Sequence, residues 1–328
     1  MATARAGIGR AVADAKSSDF ANISAPTWAW AATLALIVLL LTLDILVLHR
    51  RPKVLSARRA GIEMLMWVVV GLCFGIVVIV GFGGQAGGEY FSGYLIEYSL
   101  SIDNVFLWAL IFTYFAVPAR YQHRVLFWGI FGALVLRAAF IFAGVALIAK
   151  FEWILYIFGA FLLYTAVKLL RGGDQQIDPE NNLAFRLVQK AVPSTGEMDG
   201  QKLFTQRDGR RLATPLFTVL VLVETTDLLF AVDSVPAVLA VSREQFIVFT
   251  SNAFAILGLR ALYFLLADMH ARFAYLQQAL AVILAFVGVK MIVAHWIEIS
   301  GPVSLIVIAV VLAAAVVASV KVADRNNH

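Results

Sequence analysis

The stretch TPLFTVLVLVETTDLLFAVDSVPAVLA (214–240) decides the fold. It is long enough to cross a bilayer, which takes about 20 mostly apolar residues. Yet Glu224, Asp227 and Asp233 lie inside it. A carboxylate at mid-membrane costs roughly 2.5–3.5 kcal/mol, so acids kept there face a polar interior and point to function. The segment reads as a membrane helix with one face turned away from lipid.

The rest of the chain agrees. Of 328 residues, 61% are apolar and 14% charged, and mean hydropathy is +0.86. Soluble domains carry about 25% charged residues. Disorder, a coiled coil and an ordinary soluble enzyme are excluded. Nine apolar segments are long enough to span, at roughly 27–48, 60–82, 90–117, 122–149, 152–171, 214–240, 245–267, 273–294 and 302–322. The expected fold class is all-α, a polytopic membrane helix bundle of about nine transmembrane helices. A barrel would show short alternating segments instead, so strands are not expected. Cys73 is the single cysteine, which leaves no disulfide framework or thiolate metal site.

Charge sets the expected topology. One set of connections carries 17 Lys and Arg residues, the other 5. The rich side is expected to be cytoplasmic, which places the amino terminus outside and the carboxyl terminus inside. The net charge of +5 is therefore a topology signal and not a nucleic-acid footprint. Residues 1–26 are expected as a flexible extracytoplasmic tail, 27–88 as two helices, 89–171 as a first three-helix unit and 172–213 as a cytoplasmic linker. Residues 214–295 form a second unit, and 296–328 the last helix and a cytoplasmic tail.

The two units repeat. IEYSLSIDNV (96–105) aligns with TDLLFAVDSV (226–235), setting Glu97 on Asp227, Asp103 on Asp233 and Asn104 on Ser234. LVLRAAFIFAG (134–144) aligns with LGLRALYFLLA (257–267), setting Arg137 on Arg260. LYTAVKLL (163–170) aligns with AFVGVKMI (285–292), setting Lys168 on Lys290. The offsets are 130, 123 and 122. Three helices per unit on either side of one cytoplasmic loop run in opposite senses. Such an inverted-topology repeat is a signature of secondary transporters.

Spacing tells which acids can cooperate. Glu224 and Asp227 are three apart and share a helical face. Glu97 and Asp103, like Asp227 and Asp233, are six apart. That is about 600° of turn on an ideal helix, so each pair points apart. Both members can face one cavity only if the helix is broken, and Pro236 supplies a mechanism by freeing carbonyls near Val232 and Asp233. The candidate ligands are these carboxylates, Asn104, the hydroxyls of Thr225, Thr226 and Ser234, and freed carbonyls. Hard oxygen donors suit Mn²⁺, Mg²⁺ or Ca²⁺. No histidine or cysteine lies among them, which argues against Zn²⁺ and Cu⁺.

Six acids (Asp44, Glu97, Asp103, Glu224, Asp227, Asp233) face four bases (Arg137, Lys168, Arg260, Lys290) in the membrane. The bland alternative is structural ion pairing alone, but two negative charges are left over for a divalent cation or protons. Arg137 and Arg260 are expected as counter-ions and gates. Lys168 and Lys290 lie near helix ends and are expected to snorkel. Asp44, one turn from the end of its helix, reads equally as site or as surface.

EYSLSIDNVF (97–106), VETTDLLFAVDSVPAV (223–238), NAFAILGLRALYFLL (252–266) and LTLDILVLHR (41–50) resemble the TerC/Alx family of integral membrane proteins. The resemblance covers about 30–325, with no departure in these motifs. It implies a multi-helix protein of the bacterial inner membrane, linked by name to tellurite resistance and, in bacterial members, to manganese export. It implies metal ligation by Glu97, Asp103, Asn104, Glu224, Asp227, Asp233 and Ser234.

The leading expectation is a secondary transporter exporting a divalent cation, foremost Mn²⁺ with Ca²⁺ or Mg²⁺ as alternatives, with protons as a natural counter-ion. No nucleotide motif appears, and no organic cofactor, nucleic-acid partner or enzymatic activity is expected. The alternative is a membrane scaffold or assembly factor that meets envelope partners through loop 172–213. An intramembrane aspartyl hydrolase is a distant third, because the paired arginines argue against it.

Overall fold

The computed structural model describes residues 20–44, 46, 57–151, 153–171, 195, 198–207, 210–266, 275–293, 296, 299 and 301–326. Helices dominate them: α1 (Thr27–Leu43), α2 (Ala57–Phe82), α3 (Gly84–Tyr114), α4 (Ala119–Lys150), α5 (Ile154–Leu170), α6 (Pro215–Leu239), α7 (Gln245–Leu257), α8 (Leu259–Leu266), α9 (Leu276–Val293) and α10 (Gly301–Asn326). Gly258 is a turn between α7 and α8, and Gln245–Leu265 reads as a single span. Six spans are long and apolar enough to cross a membrane, and Thr27–Leu43, Ile154–Leu170 and Gln278–Val293 are shorter apolar helices. The protein is a multi-pass helical membrane protein.

Helix boundaries follow local chemistry. Pro26 and Pro118 immediately precede α1 and α4, and Pro215 opens α6, where a missing N–H costs nothing. Gly83 divides α2 from α3 at φ 94°, a conformation that glycine alone adopts without strain.

In lipid, helices associate through close packing rather than hydrophobic exclusion, so small residues at crossings matter. Tyr94 packs over Gly71, and Phe91 and Tyr90 over Gly75, which seats α3 on α2. The Tyr90 hydroxyl also donates to the Gly71 carbonyl at 2.9 Å. Gly159 of α5 and Gly288 of α9 meet so closely that a Cβ on either would lie 2.8 Å from the other's carbonyl oxygen.

Among the further packings are α3 on α6 and α7, α4 on α6 and α7, α5 on α6 and α9, and α3 on α9. Exchanging α3 with α6, α4 with α7 and α5 with α9 maps this set onto itself. The span of α7 and α8 lies at the centre and is buried throughout, whereas only 22% of Pro302–Ser319 is covered. Ile62, Leu65, Val69, Ile76 and Val80 form an exposed apolar stripe on α2, suited to lipid.

Three expectations need correction. Pro236 does not break its helix. Pro215–Leu239 is continuous with Pro236 inside it, because a proline in the last turn disturbs little of the ladder. A hairpin does occur, in the linker: β1 (Phe204–Arg207) pairs antiparallel with β2 (Arg210–Ala213), Phe204 opposite Ala213. Its sequence signal was Asp208-Gly209, a strong hairpin dipeptide. Lastly, the expected flexible tail is docked over residues 20–26, with Ala21 buried. Its first 19 residues lie outside the described residues.

Candidate functional site

The centre of the bundle is a charged network built on Arg137 of α4, which is 1% exposed. Its guanidinium grips Asp227 of α6 with two bonds, Nη2 to Oδ1 at 2.8 Å and Nε to Oδ2 at 3.1 Å. Nη1 donates to Glu97 of α3 and reaches the Ser234 hydroxyl at 3.3 Å. Such a planar fork matches a carboxylate better than an ammonium would. The remaining oxygens are served by neighbours. Ser101 donates to Glu97 Oε1 at 2.8 Å, Asn252 of α7 to Glu97 Oε2 at 2.7 Å, and Asn104 to Asp227 Oδ1 at 3.1 Å.

Local geometry explains the assembly. Glu97, Ser101 and Asn104 are spaced four and three apart, on one face of α3. Asp227 and Ser234 are seven apart on α6 and also share a face. Two carboxylates on one guanidinium leave a formal charge of −1, an arrangement whose desolvation cost makes it a poor stability device.

Two buried oxygens beside this network have no hydrogen-bond partner: Glu224 Oε2 and Asn104 Oδ1. Buried polar atoms are nearly always satisfied, so such exceptions ask for a reason. Glu224 lies one turn before Asp227, against the bare backbone of Gly132, where any Cβ would collide with its carboxylate. Gly132 thus makes the room that Glu224 occupies.

Asp233 goes elsewhere. With α6 unbroken, the six-residue spacing turns it away from Asp227, as ideal geometry requires. It accepts a hydrogen bond from Thr165 of α5 at 3.1 Å and, with Lys168, lines a cavity of about 220 Å³ between α5 and α6. Arg260 also departs from expectation. It pairs with Asp44 of α1 instead of joining the central acids, and Glu63 bears on it electrostatically. Lys168 is exposed, as snorkelling requires, but Lys290 is buried and donates to Ser304 of α10 at 2.9 Å. The side chain of Asp103 lies outside the described residues.

Of the expected ligands, then, Glu97, Asn104, Asp227 and Ser234 share one network and Glu224 adjoins it. The hydroxyls of Thr225 and Thr226 bond back to Val221 and Val223 of their own helix. Among the described residues, no three His, Cys, Asp or Glu side chains converge to hold a metal; the Arg137 guanidinium stands between the central acids. Sequence reasoning missed Asn252, Ser101, Thr165 and Glu89. Asn252 had a signal, an amide heading the NAFAILGLR motif. Glu89 is fully buried near the start of α3, though its GGEY context suggests an interface. Outside the spans, burial holds the Glu244 carboxyl above its ordinary range, while the Ile23 amide pulls it down.

A polytopic helical membrane protein with a network of carboxylates around one guanidinium at its centre is the class that fold and site define. Residues 82–327 match the profile of the integral membrane protein TerC family, and the chain belongs to that family. It is 48% identical over 290 residues to an uncharacterized membrane protein of Myxococcus xanthus, covering 88% of this chain and 91% of the relative. It is 43% identical over 285 residues to the putative membrane-bound redox modulator Alx of Escherichia coli K12, covering 84% and 89%. A Rickettsia bellii membrane protein is 39% identical over 300 residues, covering 90% and 99%. No solved structure matches.

Proposed function

We propose that this protein is a secondary transporter that exports a divalent cation, Mn²⁺ foremost, across the bacterial inner membrane by alternating access. The observation that carries it is the central network. Glu97 and Asp227 come from opposite units, share Arg137, and lie beside two unpartnered oxygens of Glu224 and Asn104. These are hard oxygen donors of the kind Mn²⁺, Mg²⁺ and Ca²⁺ take. Arg137 is the counter-ion of the empty state. A cation entering among the acids displaces the guanidinium, and loss of the cation lets it return.

The packing supports this reading, since most of the contacts among α3, α4, α5, α6, α7 and α9 map onto themselves when the units are exchanged, α6 on α9 and α4 on α5 being the exceptions. A site between two such units can open to either side. Export runs from the loop 172–213 side, with the amino terminus outside. Asp233, Thr165 and Lys168 form a separate polar stop on the route, and carboxylates near bases provide for proton exchange.

Uptake into proteoliposomes tests the proposal, with Mn²⁺, Ca²⁺ and Mg²⁺ compared under an imposed pH gradient. Wild-type protein is expected to move Mn²⁺, and Asp227→Asn and Asp233→Asn to lose that flux while remaining inserted and folded. Normal flux by both variants would sink the proposal. A second reading, a scaffold for envelope partners, finds support in the ordered hairpin of the linker.

A further inference from the structure

Among the described residues, Glu89 is the one fully buried acid that the transport reading above leaves unused. It lies near the start of α3, the end expected to be extracytoplasmic, and is 1% exposed. Its two oxygens are satisfied from two directions. The backbone N–H of Ala21 donates to Oε1 at 2.5 Å, and the Ser242 hydroxyl donates to Oε2 at 2.6 Å. Ala21 belongs to the amino-terminal segment, and Ser242 to the turn between α6 and α7.

The segment around Ala21 is tied down by further contacts. The Ile23 backbone amide bonds to Glu244. The Arg243 guanidinium lies over the Phe20 ring, 4.9 Å from its centroid. Trp30, at the start of α1, packs against Phe142, Phe246 and Phe249. Residues 20–26 therefore bridge the start of α3 and the turn before α7, one from each unit.

Beneath this strap a polar line leads inward. Glu89, Gly93, Glu97 and Ser101 follow one another at four-residue steps on a single face of α3. Gly93 lacks a side chain where Ser251 of α7 approaches, and a Cβ there would lie 2.7 Å from the Ser251 oxygen. The next residue of α7, Asn252, already holds Glu97. Glu89 and Glu97 thus share one face of α3, two turns apart, with Gly93 between them packed on Ser251 and Val238, and residues 20–26 lie at the outer end.

We propose that Glu89 is an outer binding station for the divalent cation and that residues 20–26 are the strap that closes it. The proposal rests on the transport reading for its ligand, but its gate is testable alone. When the strap lifts, Glu89 loses the Ala21 amide and gains an oxygen free to take a cation arriving from Glu97. When the strap returns, the amide replaces the cation. Lys290 and Glu244, whose charges bear on Glu89, and Ser242 are the groups that face this exchange, with Arg243 over Phe20 beside it.

The experiment places one thiol below the strap. Ser251→Cys is introduced into a Cys73→Ala background, and the purified full-length protein is treated in detergent with a charged methanethiosulfonate. Removal of residues 2–25 is expected to raise the modification rate by about tenfold or more, as a lost local closure does. Ser242→Ala, which loosens the same clasp, is expected to raise it less. An unchanged rate in the truncated, folded protein overturns the strap. In the truncated protein Mn²⁺ is expected to slow modification, and Glu89→Gln to abolish that protection. Equal protection in both overturns the station. Neither measurement involves flux, so a failure here is distinct from a failure of transport.

Discussion

At the scale of single residues, Arg137 organises the site. Replacing it with alanine leaves Glu97 and Asp227 buried without a counter-charge. Breaking a buried pair in this way costs about 3–5 kcal/mol, far more than the pair contributes on balance. Arg137→Ala is expected to lower the thermal midpoint in detergent sharply, and Arg137→Lys to recover only part, since an ammonium cannot grip Asp227 bidentately. A midpoint unchanged in the alanine variant would mean that the acids are already neutral or hydrated. The members of this network were legible in the sequence as costly charges in apolar runs. Their partners were harder to read. Asn252 and Ser101 carry no charge, and nothing in a sequence distinguishes a serine that serves a carboxylate from one that bonds to its own helix, as Ser99 does to Leu95.

At the scale of elements, the decisive question was whether α6 breaks. The sequence offered Pro236 as a cause, yet the helix holds, and its continuity separates Asp227 from Asp233. The ideal-helix geometry was the better guide, and the expected single cavity dissolves into two polar places. The interruption falls instead at Gly258, where the backbone turns before Arg260. The pairing of α5 with α9 makes its own prediction. Gly288→Leu forces a large side chain into the Gly159 carbonyl, and overpacking of this kind costs roughly 1–3 kcal/mol. It should lower stability and separate the two helices, measured as loss of a crosslink between cysteines placed at Leu163 and Ala285. A crosslink of unchanged yield would show that the crossing tolerates bulk.

At the scale of the whole molecule, the spans were legible because length and hydropathy fix them and lipid permits few alternatives. Which spans lie inside left a trace as well, because the enclosed span of α7 and α8 has a mean hydropathy of 1.5 against 2.8 for α2, which faces lipid. The linker separates the two functional readings. Deleting residues 175–192, which leaves the hairpin and its Thr214 anchor to the Lys202 carbonyl in place, should preserve Mn²⁺ flux in proteoliposomes. Loss of cellular function with flux intact would favour a scaffold.

The enclosure of α7 and α8 bears on how the protein is made. These helices pack mainly against α1, α2, α3 and α4, all of which precede them in the chain. A ribosome therefore delivers this span after the groove that receives it has been built. The segment carries Asn252 and Arg260, groups that lipid would tolerate badly, and their partners Glu97 and Asp44 are already in the bilayer when it arrives. Order of synthesis thus spares the amide and guanidinium of this span a long residence in hydrocarbon.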